Sequence, residues 1–472
     1  MKRRNFFTTG ALAALGTTVL NPFRSDASVP EITSEFRGKK AKNIIFLVSD
    51  GMSTGTLNMT DLYLNRHLGR SSYWLDLYRN NLVSRALMDT ASASSIVTDS
   101  SAGSSSWGGG VRVPNGSLNM GANGELYLPI WQKFKKAGKM AGCVTTVPIT
   151  HATPAGFCVN SKSRGSQDEI SLQYLDLGFD VMMGGGNKYF DAAMRKDKRD
   201  VYSDFAKKGY QVARTAAQMT SSSHDKPILG VFADDGLPYT ADHLSDAKLK
   251  SEVPTLAQMT QKAIDRMKRH PKGFVLQVES GKVDWAAHAN DIAGLLFDQA
   301  AFDDAVKVAM DFAKADGNTL VIVTTDHGNA NPGVIYGKNA DSNFDSVSKY
   351  RQTNEWVLNQ VKPDFTPAKL RELVEYAQAT AITDDEAKTL LGYYSGLEKE
   401  EGGLYNYRKV PFKAFAEMQK KYNSVGWISM DHSADYVELA MYGPGSGLLK
   451  PFVKNTDLHY LMLAAAEVEN KF

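Results

Sequence analysis

The sequence predicts an α/β protein, a three-layer sandwich in which a central, largely parallel sheet is flanked by helices and carries a helical insertion as a crown or lid. Three observations carry this reading. Short apolar runs rich in β-branched residues recur at 43–48, 141–147, 181–183, 228–232, 274–278, 320–324 and 437–441. Their length and near-uniform apolarity mark strands buried on both faces, which is how parallel strands read. Segments of helical periodicity separate them, and strands alternating with helices build a parallel sheet covered on both sides. Finally, several runs stop at a carboxylate or an imidazole, the place where open α/β sheets carry their sites.

Composition sets the class. The chain has 472 residues, 43% hydrophobic and 22% charged, enough apolar material for a large core and no sign of disorder. Its 54 basic and 52 acidic residues leave a net charge of +2 without long runs of either sign, which argues against nucleic acid as a stable partner and leaves an anionic small substrate open. Residues 1–28 read as an export signal: Lys2-Arg3-Arg4 is followed by a small, apolar stretch from Phe6 to Leu20. The stretch is too short for a transmembrane anchor. Arg3-Arg4-Asn5-Phe6-Phe7 resembles a twin-arginine signal, with a plain secretory signal as the alternative, so the mature protein is expected to be exported, periplasmic or secreted. The two cysteines, Cys143 and Cys158, allow either one disulfide or two buried thiols.

Taken in order, the first strand ends at Ser49-Asp50-Gly51. Residues 90–110 have the composition of a flexible linker, but Ile96, Val97 and Trp107 within them argue for a packed segment. Residues 254–270 form a helical pattern with Pro254 at a first helical position. The strand at 274–278 runs into Glu279 and then into Asp284 and His288, which share a helical face at a spacing of four. Taken alone, this segment also suits an ordinary helix N-terminus with an acidic residue and a surface histidine. From Ile292 to Ala313, apolar residues follow three-and-four spacing, with Gln299 the one polar member of that face. The strand at 320–324 leads to Asp326-His327. Residues 336–426 are more polar and more helical, with Thr366-Pro367 as a cap followed by proline and Thr383 to Glu386 as a capping box; they read as an insertion that leaves the sheet and returns. His432 follows, just before the last run, with Asp431 beside it as a ligand or, preferably, a helix cap.

Each of these acidic residues has a plain explanation as a helix cap. Together they are stronger, because His288, His327 and His432 each stand within a few residues of an aspartate where separate strands begin or end. Mixed Asp and His sets suit Zn²⁺, and an all-oxygen remainder suits Mg²⁺.

Six blocks, 43–52, Thr98-Asp99-Ser100, Thr150 to Pro154 with Arg164, Glu279 through Asp284 to His288, Asp326-His327 and His432, resemble the alkaline phosphatases in order and spacing. The resemblance covers roughly 42–336 and 426 to the C-terminus, within a catalytic domain spanning 40–472. It implies hydrolysis of phosphate monoesters at alkaline pH through a phosphoserine at Ser100, two Zn²⁺ and one Mg²⁺ per subunit, and a homodimer. By the same resemblance Asp284, His288 and His432 hold the first zinc, and Asp50, Asp326 and His327 the second, with Ser100 as its reactive ligand. Asp50 bridges to a magnesium bound by Thr153 and Glu279; Arg164 clamps the phosphate and Asp99 orients it. His151 and Trp285 stand at the substrate side, where the best-known bacterial members carry an aspartate and a lysine. The loss of that aspartate predicts weaker magnesium binding. Rival readings are a phosphodiesterase, sulfatase or mutase of the same superfamily, or a phosphate-binding protein without turnover. Neither Cys143, Cys158 nor Ser100 has the C/S-x-P-x-R context of a sulfatase, and binding alone does not need a serine nucleophile.

Overall fold

The computed structural model describes residues 36, 38–400 and 402–471, so the expected export signal lies outside the described residues. Ten strands form one sheet: β1 (Asn43–Ser49), β2 (Ser84–Asp89), β3 (Met140–Pro148), β4 (Val181–Gly185), β5 (Gln211–Ala213), β6 (Ile228–Val231), β7 (Phe274–Ser280), β8 (Thr319–Thr324), β9 (Val437–Tyr442) and β10 (Phe452–Lys454). Their spatial order is β10-β2-β9-β8-β1-β7-β3-β4-β6-β5. Every neighbouring pair is parallel except those of β9, which runs antiparallel to both β8 and β2. That reversal matters for the site: it brings the amino end of β9 to the edge where β1, β7 and β8 end.

All seven expected strands form. The three not anticipated lie at or near the sheet's margins. In β2, Arg85 and Leu87 are exposed while Ala86 and Met88 are buried, so it lacks a continuous apolar run, and β5 and β10 have three residues each. Such short or half-polar strands fall below the length at which periodicity is informative.

Alternation along the central strands divides the core in two. Ile45 and Leu47 of β1 pack with Leu276, Val278, Leu296 and Phe302 on one face, and Ile44, Phe46 and Val48 pack with Trp107, Trp131 and Phe157 on the other. Each such side chain contributes about 1.5–3 kcal/mol by leaving water. The helices that matter for the site are α1 (Thr54–Leu68), α2 (Ser100–Gly109), α3 (Ala152–Cys158), α4 (Leu256–Met267), α5 (Lys282–His288) and α6 (Ile292–Asp316). At α4 the expectation needs correction: Thr255 is the cap, in a capping box with Gln258, and Pro254 lies outside the helix. Gln299, the polar residue on the buried face of α6, accepts a 2.5 Å hydrogen bond from Ser49 Oγ, so its burial is satisfied.

Residues 336–426 contain helices with a hydrophobic core of their own, including Val357, Leu358, Leu370, Val374, Leu390 and Phe415. Gly333–Val334 pairs antiparallel with Val425–Gly426 and closes the neck. Thr366 caps the helix Pro367–Gln378, and Thr383 with Glu386 forms a capping box at Asp384–Gly392. This third core includes Ala289, with Met430 packed against it, so it abuts the residue after His288. Cys143 and Cys158 are both free, buried thiols. Among the described residues no helix is long and apolar enough to cross a membrane.

Candidate active site

One edge of the sheet gathers the polar residues. Asp50 leaves the end of β1, Glu279 is the penultimate residue of β7, and Asp326 and His327 follow β8. His432 arrives from the opposite direction, held by a two-residue antiparallel ladder in which it pairs with Asn329. Asp284 and His288 sit one turn apart on α5, His288 Nε2 lying 3.5 Å and His432 Nε2 3.4 Å from the Asp284 carboxylate. Gly51, at a positive φ of 66°, packs directly on Asp284, whose carboxylate a Cβ would strike.

Asp50 lies between two groups of ligands. Its Oδ1 is 3.5 Å from His327 Nε2 and 3.4 Å from Ser100 Oγ, while its Oδ2 accepts a 3.2 Å hydrogen bond from Thr153 Oγ1 on α3. Asp326 Oδ2 stands 3.3 Å from His327 Nε2. Three sets come close enough to share an ion: Asp284, His288 and His432; Asp50, Asp284 and His327; and Asp50, His151 and Glu279.

The donor chemistry fits cations. The Nδ1 atoms of His288, His327 and His432 face backbone carbonyls of Met430, Gly328 and Thr98 at 2.6, 3.3 and 2.9 Å, and a carbonyl only accepts. Each Nδ1 therefore carries a proton, and each Nε2 is directed into the site. His288 Nε2 and His432 Nε2 are 3.0 Å apart, an approach that requires a positive charge, a proton or a metal ion, between them. Glu279 Oε1 and Asp326 Oδ2 are buried without a hydrogen-bond partner.

Electrostatics in the metal-free chain agree. Burial, then the carboxylates of Asp326, Asp284 and Glu279, raises the Asp50 pKa well above its ordinary value. Burial pushes Glu279 up to about 8 against a hydrogen bond from Thr145, and burial with the Asp284 charge pushes Asp326 up to about 6. Asp284 is the exception: burial opposes its charge, but His288, His432 and His327 hold it well below the usual range. Burial also opposes a charge on His432, which its bond to Asp284 nevertheless raises to about 9.

Ser100 is the first residue of α2, and Asp99 is that helix's N-cap, accepting from Ala102 N at 2.9 Å. The Ser100 hydroxyl is 3.3 Å from His327 Nε2 at a helix N-terminus, whose free N–H groups favour anions. Arg164 is held from two sides: Nη1 donates to Asp99 Oδ2 at 3.1 Å, and Nη2 donates to His151 Nε2 at 3.1 Å. Burial and then the Arg164 charge push His151 down to about 3, so it is neutral and free to accept. Trp285 meets the His151 ring edge-on, with centroids 6.0 Å apart. These residues line a cleft of about 520 Å³.

Every anticipated site residue thus lies in or beside this cluster. Asp431 caps no helix, because a two-residue strand follows it; it is an exposed residue on the rim of the cleft. The packed reading of 90–110 holds for Trp107, which is buried, but Ile96 is exposed and Val97 lines the cleft. Two residues escaped sequence reasoning. Thr145 donates to Glu279 Oε2, and Asn329 donates to Asp284 Oδ1 at 2.7 Å. Asn329 stands two residues after His327 and gave a signal only through that neighbourhood.

The family model described as alkaline phosphatase matches residues 41–468. This chain belongs to the alkaline phosphatase family. The match runs through the insertion as well as the two blocks anticipated on either side of it. The chain is 31% identical over 424 residues to alkaline phosphatase 4 of Bacillus subtilis (strain 168), covering 88% of this chain and 87% of that one. It is 30% identical over 371 residues to the alkaline phosphatase of Escherichia coli (strain K12), covering 67% and 78%. The crystal structure of Thermus thermophilus alkaline phosphatase aligns with a TM-score of 0.84 at 31% identity over 96% of each chain. Hydrolase activity and metal dependence are therefore family properties that this alkaline phosphatase fold carries together with a matching donor set.

Proposed function

We propose that this chain hydrolyses phosphate monoesters at alkaline pH, with Ser100 as the nucleophile that carries the phosphoryl group between two half-reactions. The observation that supports it most is the position of Ser100 Oγ, at the N-terminus of α2 and within 3.4 Å of both His327 Nε2 and Asp50 Oδ1. A binding protein has no need of a hydroxyl so placed. Asp284, His288 and His432 would hold one zinc, Asp50, Asp326 and His327 the second, and Asp50, Thr153 and Glu279 a magnesium. When bound, these ions lower the pKa of hydroxyl and water and neutralise charge that develops in the transition state.

The chain's own groups do the rest. Arg164, fixed by Asp99 and neutral His151, keeps N–H donors of its planar fork for two phosphate oxygens, a geometry lysine cannot copy. The α2 N-terminus favours negative charge at Ser100. The phosphoryl group moves to Ser100 as the alcohol leaves, and water then releases phosphate and restores the serine. His151 offers no negative charge to the third site, so magnesium binds there less tightly than where an aspartate stands. Titration of metal-stripped protein checks this: His151→Asp should saturate at lower magnesium, and equal or weaker binding contradicts it. The protein acts as an exported homodimer in this reading, and light scattering of the mature chain gives the mass that decides it.

The deciding experiment measures phosphate released from an aryl monoester and an aryl diester at alkaline pH, before and after chelation, with zinc and magnesium restored in turn. Monoester activity lost to chelator and recovered with zinc is the expected result. Diester activity alone, or none under any metal condition, overturns the assignment.

A further inference from the structure

Lys282 is an unusual residue for its position. It opens α5, where the helix dipole disfavours a cation, and it is 4% exposed. Among the described residues no carboxylate lies within ion-pair distance of its ammonium, although the half-buried Asp242 and the buried Asp298 lie within its field. Its closest partners are aromatic: Nζ is 3.5 Å from the centroid of Tyr239 and 4.6 Å from that of Trp285. A buried ammonium between two ring faces gains most from cation–π attraction because little water competes for it. The same indole is hemmed in by Gly236, where an added Cβ would come 2.8 Å from Trp285 Cζ3 and 3.3 Å from Lys282 Cδ, and it meets the His151 ring at its edge.

Trp285 is thereby clamped three residues after Lys282, on the helix turn that bears Asp284, with part of its ring open to the cleft. Apart from imidazoles it is the only aromatic side chain lining that cleft among the described residues, and Val97 is its only aliphatic companion. The remaining lining is polar, and Arg164 and Asn115 within it offer N–H donors to a phosphate. An alcohol leaving the phosphorus thus finds one large, flat, immobile apolar wall.

Building on the phosphatase reading, we propose that Trp285 is a specificity-determining wall that favours planar aromatic leaving groups, and that Lys282 is the positioning residue that holds its indole in place. A rigid ring offers a stacking face without loss of rotamer freedom on binding. Because the phosphoseryl enzyme is the same whichever alcohol has left, the preference shows in kcat/KM and not in the later hydrolysis that both substrates share.

The test compares benzyl phosphate with cyclohexylmethyl phosphate, esters of similar size that differ in the flatness of the ring, using the full metal-loaded enzyme. The wild type should favour the benzyl ester, and Trp285→Ala should reduce that ratio of kcat/KM values by roughly three- to tenfold. Lys282→Met should reduce it about two- to threefold, with Lys282→Arg restoring it. Gly236→Ala, whose Cβ would press on the indole, should also shift it and serves if Lys282→Met fails to fold. A ratio unmoved by Trp285→Ala overturns the wall; a ratio moved by Trp285→Ala but by neither Lys282→Met nor Gly236→Ala overturns the positioning. Wild-type enzyme inert toward both esters overturns the phosphatase reading itself, a result distinct from an active enzyme with no preference.

Discussion

The inner and outer halves of the site solve the problem of buried charge differently. Inside, Asp50, Glu279 and Asp326 are fully buried, with the imidazoles of His327 and neutral His151 beside them, and repel one another. Outside, Asp284 has His288 and His432 beside it, and imidazole charge stabilises its carboxylate without help. The inner half carries carboxylate repulsion that its own residues do not offset, whereas the outer half is nearly self-sufficient. A buried carboxylate without a partner is costly, and a divalent ion is the group that removes the cost for several at once.

Ser100, at the junction of the halves, should give the largest effect. Ser100→Ala is expected to lower kcat by at least about 1,000-fold while phosphate still binds, as calorimetry on the metal-loaded protein would record. Normal turnover in that variant would falsify its assignment as nucleophile. Next come paired substitutions across the halves. Asp50→Asn, which touches two ligand sets, should cost roughly 1,000-fold in kcat/KM yet raise the melting temperature of chelated protein, because it removes repulsion. His288→Gln should cost roughly 10–100-fold and lower that melting temperature, since it takes a partner from Asp284. Shifts of the same sign in both variants would erase the distinction between the halves.

Asn329→Ala should weaken metal binding or activity about 10–100-fold, because its 2.7 Å bond fixes which way the Asp284 carboxylate points. Metal titration followed by activity measures it, and an unchanged affinity would assign Asn329 to packing alone.

The smallest expected effect is a pH dependence confined to the chelated protein. Burial first, then neighbouring carboxylates, lets folded Glu279 keep its proton up to about 8 and Asp326 up to about 6, against ordinary values of 4.5 and 3.8 in the unfolded chain. Between those limits the folded state binds more protons. Its stability from these groups is therefore complete below about pH 4 and is lost as pH rises through 6 and then 8. Melting temperature should fall over that range without metal and stay level with it; a parallel decline in both would mean that the inner carboxylates are not the source.

Much of this was legible beforehand because strand ends announce themselves. Asp50, Glu279 and Asp326-His327 each follow an apolar run long enough to be recognised as a buried strand, and Asp284 with His288 share a helical face by spacing alone. Other features were not. Strand β2 and the three-residue β5 and β10 carry too little pattern, and Pro254 stands one residue before the true helix cap, Thr255, which forms a capping box with Gln258. Asp431 has the residue type of a cap, but a two-residue strand follows it.

What the sequence determines by itself is local: which runs are buried, which residues terminate them, and which side chains share a face. Those follow from periodicities of two and 3.6 and from the chemistry of caps. Only the tertiary structure decides that β9 runs against its neighbours and so delivers His432 to the ends of β1 and β8, that Asn329 points at Asp284, and that the Lys282 ammonium meets the ring of Tyr239. These are meetings of residues far apart in the chain, and no local periodicity encodes which partner a side chain will find once the sheet is assembled.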